Sequence, residues 1–274
     1  MVNVHMMTVA NKNYWHYVLP YIASTLNSYP NYSAEIFLDN KEVFVSCHKE
    51  ILEVMREMYG DSWALRQLPN TCIRPKAGMK LNWGSFRWMI KPQTKKELTY
   101  IGDVDIMILP EEQELGEFHF GVMEWTKLPY SNIVRQLTSK NKLLKITGLH
   151  CVKTEEYFSK VDMKWIENEL NRHNGHICDE VLLYNAMVKF FGIPTKNKKR
   201  PIHGIHMSPG RCVIPPIGIK KCHWGITPLW IDKYEEMKKS ENWKTLITKF
   251  DPQYLVRISQ LEGGIQEYKR RKNI

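Results

Sequence analysis

The chain has 274 residues, 43% hydrophobic and 25% charged, which is enough length to bury a substantial core and too apolar a composition for disorder over most of it. A net charge of +10 calls for an anionic partner or a solvated basic face, since such excess is the footprint of nucleic acid, an anionic membrane surface or diphosphate substrates as well as of plain surface charge. No apolar run approaches the roughly 18 residues that span a bilayer, and the N-terminus enters at once into a strand-like run in place of a charged-then-apolar leader, so a cytoplasmic protein is expected.

The β-prone run Val4 to Ala10, followed at once by polar residues, predicts a first strand. Tyr14 to Leu26 carries Tyr17, Val18, Tyr21, Ile22 and Thr25 at helical spacing, and Ala34 to Leu38 is a second short strand ending at Asp39 and Asn40. Strand, helix, strand in this order predicts a parallel sheet. His48 to Tyr59 has the stripe of an amphipathic helix, Cys72 to Pro75 that of an edge strand or connector, and Gly84 to Ile90 that of a further helix. Leu98 to Leu109 is nearly all apolar and is interrupted only by Gly102, Asp103 and Asp105, as a buried central strand with a ligand-binding C-terminal end would be. Ser131 to Leu137 and Lys153 to Phe158 are expected as short helices around a strand at Leu143 to Cys151, and Cys178 to Phe191 as a longer helix. From Pro194 prolines break any long element, and roughly Ile231 to Lys272 returns to helical periodicity. The fold expected is one α/β domain over 1–210, with a donor-binding half of about 1–110 and an acceptor-binding half of about 111–210, and a C-terminal loop and helical extension, 211–274, packed on it.

Asp103-Val104-Asp105 sets two carboxylates on one face of a strand, or splayed at its end, and either geometry can hold one magnesium or manganese ion with open positions for phosphate oxygens. Asp179 and Glu180 open a helix, where the dipole favours them with or without a catalytic duty. His203 and His206, three apart on a glycine-containing stretch, could complete a metal site; His223 is a rival, and ordinary loop hydrogen bonding is the plain alternative for each. Glu124-Trp125-Thr126 combines carboxylate, aromatic and hydroxyl, the chemistry that grips sugars, although tryptophan also builds cores. Six cysteines without CxxC spacing are expected as reduced thiols. The basic clusters at Lys196 to Arg200, Lys220-Lys221 and Lys269 to Lys272 match no nucleic-acid-binding signature, and a P-loop and a Gly-X-Gly-X-X-Gly fingerprint are absent too.

Tyr100-Ile101-Gly102-Asp103-Val104-Asp105-Ile106-Met107-Ile108 resembles the Asp-X-Asp strand of glycosyltransferases of the GT-A fold. Gly84 to Met89 is similar to the Arg-aromatic helix that precedes that triplet, and Thr8 to Tyr14 resembles the first-strand loop that cradles the nucleoside. Thr147 to Thr154 looks like a stretch of bacterial capsule and lipopolysaccharide transferases, and Cys178 to Tyr184 is similar to the acidic helix start that carries catalytic or sugar-binding carboxylates. The likeness covers about residues 2 to 210. It implies a Rossmann-like, mostly parallel sheet flanked by helices and transfer from a nucleotide-diphosphate sugar, a UDP-sugar first, with Mn2+ or Mg2+. Thr8, Ala10, Asn11, Tyr14, Asp39 and Arg87 would then serve the donor together with Asp103, Val104, Asp105 and His206. The metal would rest on Asp103, Asp105 and His206, with His203 the second choice; Asp179 or Glu180 would be catalytic; Glu124, Trp125, Thr126 and His150 would meet the acceptor. That acceptor is expected to be a saccharide or a lipid-linked saccharide of a surface polysaccharide (capsule, O-antigen or lipooligosaccharide), with peripheral contact to an anionic membrane face and no nucleic acid. A nucleotidyl- or phosphotransferase on the same carboxylates, or a basic nucleic-acid-binding protein, are the competing readings.

Overall fold

β1 (Val4–Ala10) is apolar toward both faces and buried along almost all of its length, so it takes a central place in a sheet covered on two sides. The structure, a computed structural model, describes residues 2–69, 83–94, 96–136, 144–173, 177–195, 203–207 and 227–273. β1 pairs in parallel with β2 (Ser33–Leu38) on one side and β4 (Leu98–Ile101) on the other, and β2 pairs in parallel with β3 (Trp63–Gln67). Beyond β4 the sheet adds β9 (His150–Lys153) and then β6 (Tyr130–Ser131), for an order β3-β2-β1-β4-β9-β6 in which β9 alone runs the other way. The mostly parallel sheet expected from the strand-helix-strand opening is present.

Alternate residues of β1 feed two cores. Val4 and Met6 face a cluster built from α1 (Trp15–Ser28), α3 (Lys49–Tyr59) and the C-terminal helices α8 (Pro228–Lys239), α9 (Glu241–Ile247) and α10 (Pro252–Lys272). Met7 faces the other, formed by a 3₁₀-helix at Trp83–Met89 with α5 (Thr154–Lys160), α6 (Met163–Arg172) and α7 (Asp179–Phe190). The C-terminal helices thus share the core of the sheet: Tyr254, Leu261 and Ile265 of α10 are buried in the same cluster as Tyr21 and Leu26 of α1.

The expected single strand Leu98 to Leu109 is two. β4 ends at Ile101, where Gly102 donates its N–H to Met7 O (3.2 Å) and accepts the Thr8 hydroxyl at its carbonyl (2.8 Å). The chain then leaves the sheet, and β5 (Ile106–Ile108) pairs antiparallel with β10 (Gly204–His206). The helix expected at Ser131 to Leu137 is also corrected, because β6 and β7 (Val134–Gln136) occupy it. Between them Asn132 locks to Thr147: its amide donates to Thr147 O (2.9 Å) and its carbonyl accepts the Thr147 N–H (2.9 Å), which fixes β7 against β8 (Leu144–Ile146). α2 (Lys41–Cys47), β3, α4 (Leu115–Thr126) and α6 had no place in the expected order. Cys72 to Pro75 lies outside the described residues.

β10 depends on glycine at its first position. A Cβ on Gly204 would stand 1.9 Å from Met107 O of the paired strand, far inside any contact distance. Gly204→Ala is therefore expected to destabilise the protein by about 2 kcal/mol through overpacking. Equilibrium urea unfolding measures this, and stability equal to the parent would mean that β10 is not seated on β5 as described.

Candidate functional site

β1 and β4 run in parallel and end side by side, and a cavity of about 390 Å³ opens beyond their C-terminal ends. Its walls include Ala10 at the end of β1, Asn11, Asn13 and Tyr14 after it, Trp83 and Arg87 of the 3₁₀-helix, Asp103 to Asp105 between β4 and β5, Asp179 of α7 and His206 of β10. The loop after β1 is braced by polar groups of its own and of the end of β2. Asn11 accepts the Asn13 N–H at its side chain (3.1 Å), and the Asp39 carboxylate at the end of β2 accepts Lys12 N–H (2.9 Å) and Trp15 Nε1–H (2.8 Å).

The antiparallel pairing of β10 on β5 carries a histidine back to the acidic segment. Met207 donates its N–H to Asp105 O (2.7 Å), and His206 Nε2 comes to 3.5 Å from Asp105 Oδ1. One ligand atom each from Asp103, Asp105 and His206 lie within 4.8 Å of one another. Asp105 and His206 are buried and Asp103 is half-buried, so three ligands converge where solvent competes little. Two carboxylate oxygens and one imidazole nitrogen suit a borderline divalent ion such as Mn2+, and three protein ligands leave coordination positions open.

Arg87 ties this cluster to α7. Arg87 Nη1 is bound to the Asp103 carboxylate and Nη2 to Asp179 Oδ2 at 2.7 Å, while the guanidinium lies 4.5 Å from the centre of the Trp88 ring. Burial works against its charge, but the carboxylates of Asp103 and Asp179 outweigh burial, so the Arg87 pKa is raised. Space for it comes from Gly148, where a Cβ would sit 2.7 Å from Arg87 Nη2. Beside Asp179, Glu180 is enclosed by Arg135 Nη2 (2.6 Å), by the Lys145 ammonium and by the Gly148 N–H (3.3 Å). Burial raises the Glu180 pKa, yet hydrogen bonding from Lys145 and the charge of Arg135 bring it below the usual carboxylate range. Both acids also stand in the first turn of α7, where the helix dipole favours their negative form.

Of the residues singled out in the sequence, Ala10, Asn11, Tyr14, Arg87, Asp103, Val104, Asp105, Asp179 and His206 line one cavity. Thr8 lies beneath it, Asp39 braces the loop behind it, and Glu180 stands beside Asp179 within its cage of cations. His203 is fully buried against the Tyr100 hydroxyl and is not among the three converging ligands. His150 belongs to the core: it meets the Asn132 amide at 3.1 Å and packs against the rings of Trp88, Tyr130 and Tyr157. Glu124, Trp125 and Thr126, expected to meet the acceptor, do not line this cavity. Lys153, which pairs with Leu98 at the start of β4, holds Glu124 at 2.5 Å, so all three sit at the opposite end of the strands, with Trp125 and Thr126 beside a separate hollow of about 240 Å³. Arg135, Lys145 and Trp83 are not singled out by the sequence, and for the two cations the reason is that nothing short of the β7–β8 pairing places them on Glu180. His223 and the clusters at Lys196 to Arg200 and Lys220-Lys221 lie outside the described residues.

No protein-family model matches the chain, and no curated protein does. Among solved structures it is similar to the apo-form glycosyltransferase GlyE of Streptococcus pneumoniae TIGR4 (TM-score 0.46, 9% identity, 70% of this chain and 45% of that one). It is similar also to the galactosyltransferase LgtC in complex with donor and acceptor sugar analogs (0.43, 11%, 69% and 71%). A third is the bifunctional glycosyltransferase WbbM (0.42, 11%, 94% and 52%). The chain spans less than half the length of the GlyE structure it matches. Superpositions this loose assign neither substrate nor mechanism, which rest on the cavity itself.

Burial gives the fold a pH dependence that does not require turnover. His150 is kept neutral, its pKa pushed down to about 3 by burial and by the charge of Arg87, and burial with Arg257 brings His16 to about 4. In the unfolded chain both take up a proton near pH 6.5, so below that pH the unfolded state binds more protons and stability falls as pH falls toward 4. The depressed Glu180 acts in the same sense: its contribution is present above about pH 4.5 and is lost as pH falls through its folded-state value. Urea unfolding at pH 8, 6.5 and 5 is expected to give stability that drops between the last two, with a shallower drop in His150→Gln. A stability independent of pH over that interval would show both histidines to be solvent-accessible.

Proposed function

We propose that the chain is a metal-dependent glycosyltransferase that takes a sugar from a nucleoside-diphosphate sugar. The observation that carries this reading is the convergence of His206 on Asp103 and Asp105 at the C-terminal edge of a mostly parallel sheet, next to a cavity with room for a nucleotide. Held by those three side chains, a divalent ion would supply the counter-charge for a leaving diphosphate. Asn11, Asn13 and Tyr14 would receive the nucleoside, with the Tyr14 and Trp83 rings as apolar walls. Arg87 and Asp179 face the space where the donor sugar would lie. Glu180, kept deprotonated by Lys145 and Arg135, serves as a fixed negative charge more readily than as a proton acceptor, because a general base works best with a pKa near the working pH.

A UDP-sugar is the first donor in this proposal, Mn2+ the first ion, and a saccharide or lipid-linked saccharide of surface polysaccharide assembly the acceptor class. Among the described residues no helix is long and apolar enough to cross a membrane, so contact with a lipid-borne acceptor would be peripheral, through basic side chains such as Lys269 and Arg270. A nucleotidyl- or phosphotransferase working through two ions is less well supported, because among the described residues one cluster of three ligands is found.

Incubation with UDP-, GDP- and CMP-sugars, with and without Mn2+, tests the proposal. Release of nucleoside diphosphate is expected with Mn2+ and not with EDTA, and Asp103→Asn or Asp105→Asn should lower it by at least about 100-fold. Full turnover in both Asp179→Asn and Glu180→Gln would remove those two from the chemistry. Release that is indifferent to metal would overturn the proposal.

A further inference from the structure

We infer that Arg87 is a resident counter-cation that competes with the divalent ion for Asp103, so that the ion binds weakly alone and firmly only together with a nucleoside diphosphate. This rests on the glycosyltransferase reading of the site and adds the order in which it fills. Three features of the geometry point to it. Asp103 is at once a member of the ligand triad and a partner of the Arg87 guanidinium. Arg87 is 4% exposed and its guanidinium is anchored on its far side by Asp179, so it does not drift away when the cavity is empty. Gly148 leaves room for it and for little else, since a Cβ there would lie 2.7 Å from Arg87 Nη2 and 3.7 Å from Asp103 Oδ2.

The charge count then sets the sign. Among the described residues, Asp103, Asp105 and Asp179 share the cavity with the Arg87 guanidinium, while Glu180 is neutralised separately by Lys145 and Arg135. An incoming divalent ion meets carboxylates already partly neutralised and a positive group bound to one of its own ligands. One unit charge at such a distance is worth at least about tenfold in affinity for a divalent ion even at high effective dielectric. A diphosphate brings negative charge that both cations attract, so it removes the penalty that each imposes on the other. Ion and nucleotide must then favour each other's binding, and by the same factor in both directions. Arg87 is in this sense a positioning residue, acting on the ion through Asp103.

Mn2+ binding, followed as the Mn2+ retained by the protein in equilibrium dialysis with the same UDP concentration on both sides of the membrane, tests this without turnover. The wild-type chain is expected to bind Mn2+ at least about tenfold more tightly with saturating UDP than without. Arg87→Gln should bind Mn2+ alone about tenfold more tightly than wild type and show a correspondingly smaller gain from UDP. Arg87→Lys, a single-point ammonium that cannot hold both carboxylates, should fall between the two and carries the test if Arg87→Gln does not fold. Arg87 variants that bind Mn2+ alone no more tightly than wild type, while UDP still tightens it, would overturn this inference and leave the functional reading standing. A wild-type chain that binds no Mn2+ with or without UDP would overturn both.

Discussion

A buried guanidinium held between carboxylates from two different parts of the chain is the constraint on which the cavity depends. Arg87 comes from the 3₁₀-helix, Asp103 from the exit of β4 and Asp179 from the first turn of α7, so one side chain fixes three segments that no backbone ladder joins. Removing one partner of a buried pair leaves the other charge uncompensated at a cost of about 3–5 kcal/mol, whereas an intact pair contributes little net stability. The pair therefore specifies an arrangement more than it stabilises the fold. The alternation of Met6 and Met7 into separate cores above and below β1 provides the stability that holds those segments near one another.

The second constraint is the break at Gly102. Had the run from Leu98 continued as one strand, Asp103 and Asp105 would both have stayed in the plane of the sheet. Instead the backbone turns out after Ile101 and resumes as β5 in a separate two-stranded ribbon whose other strand ends in His206. The third ligand thus reaches the first two through hydrogen bonding of main chain to main chain, with Gly204 permitting the close approach to Met107. A ligand set by strand register varies less in position than one carried on a free loop.

These two constraints separate what was legible in the sequence from what was not. β1, α1, β2 and α3 could be read because each is an apolar run or stripe bounded by turn residues, and local pattern is all that such elements need. Asp103 and Asp105 stood out as charges inside an apolar run. The split of that run did not, because β5 is as apolar as β4 and only its pairing with a strand far along the chain distinguishes them. α4 was hidden for another reason: Gly116 and Gly121 weaken its helical signal, and its start is capped by Glu114, an uncommon cap. α6 does carry a local signal, with Asp162 at its cap and Met163, Ile166 and Leu170 on one stripe. Trp125 has the ring that a sugar could stack on, but α4 places it beside a separate hollow and not in the cavity beyond β4.

Electrostatics links the two constraints. Asp103 and Asp179 share Arg87, Glu180 has Arg135 and Lys145, and Asp105 has His206 at 3.5 Å. With acids and cations paired in this way, the dipoles of the cavity are already oriented, so a charged ligand meets groups that need little reorganisation. The cost is that Asp103 serves two masters. A carboxylate optimised for a guanidinium fork and one optimised for a metal ion call for different placements of the same two oxygens. The structure resolves the conflict by giving Arg87 a second anchor in Asp179, which lets the guanidinium stay in place while Asp103 turns an oxygen toward Asp105 and His206.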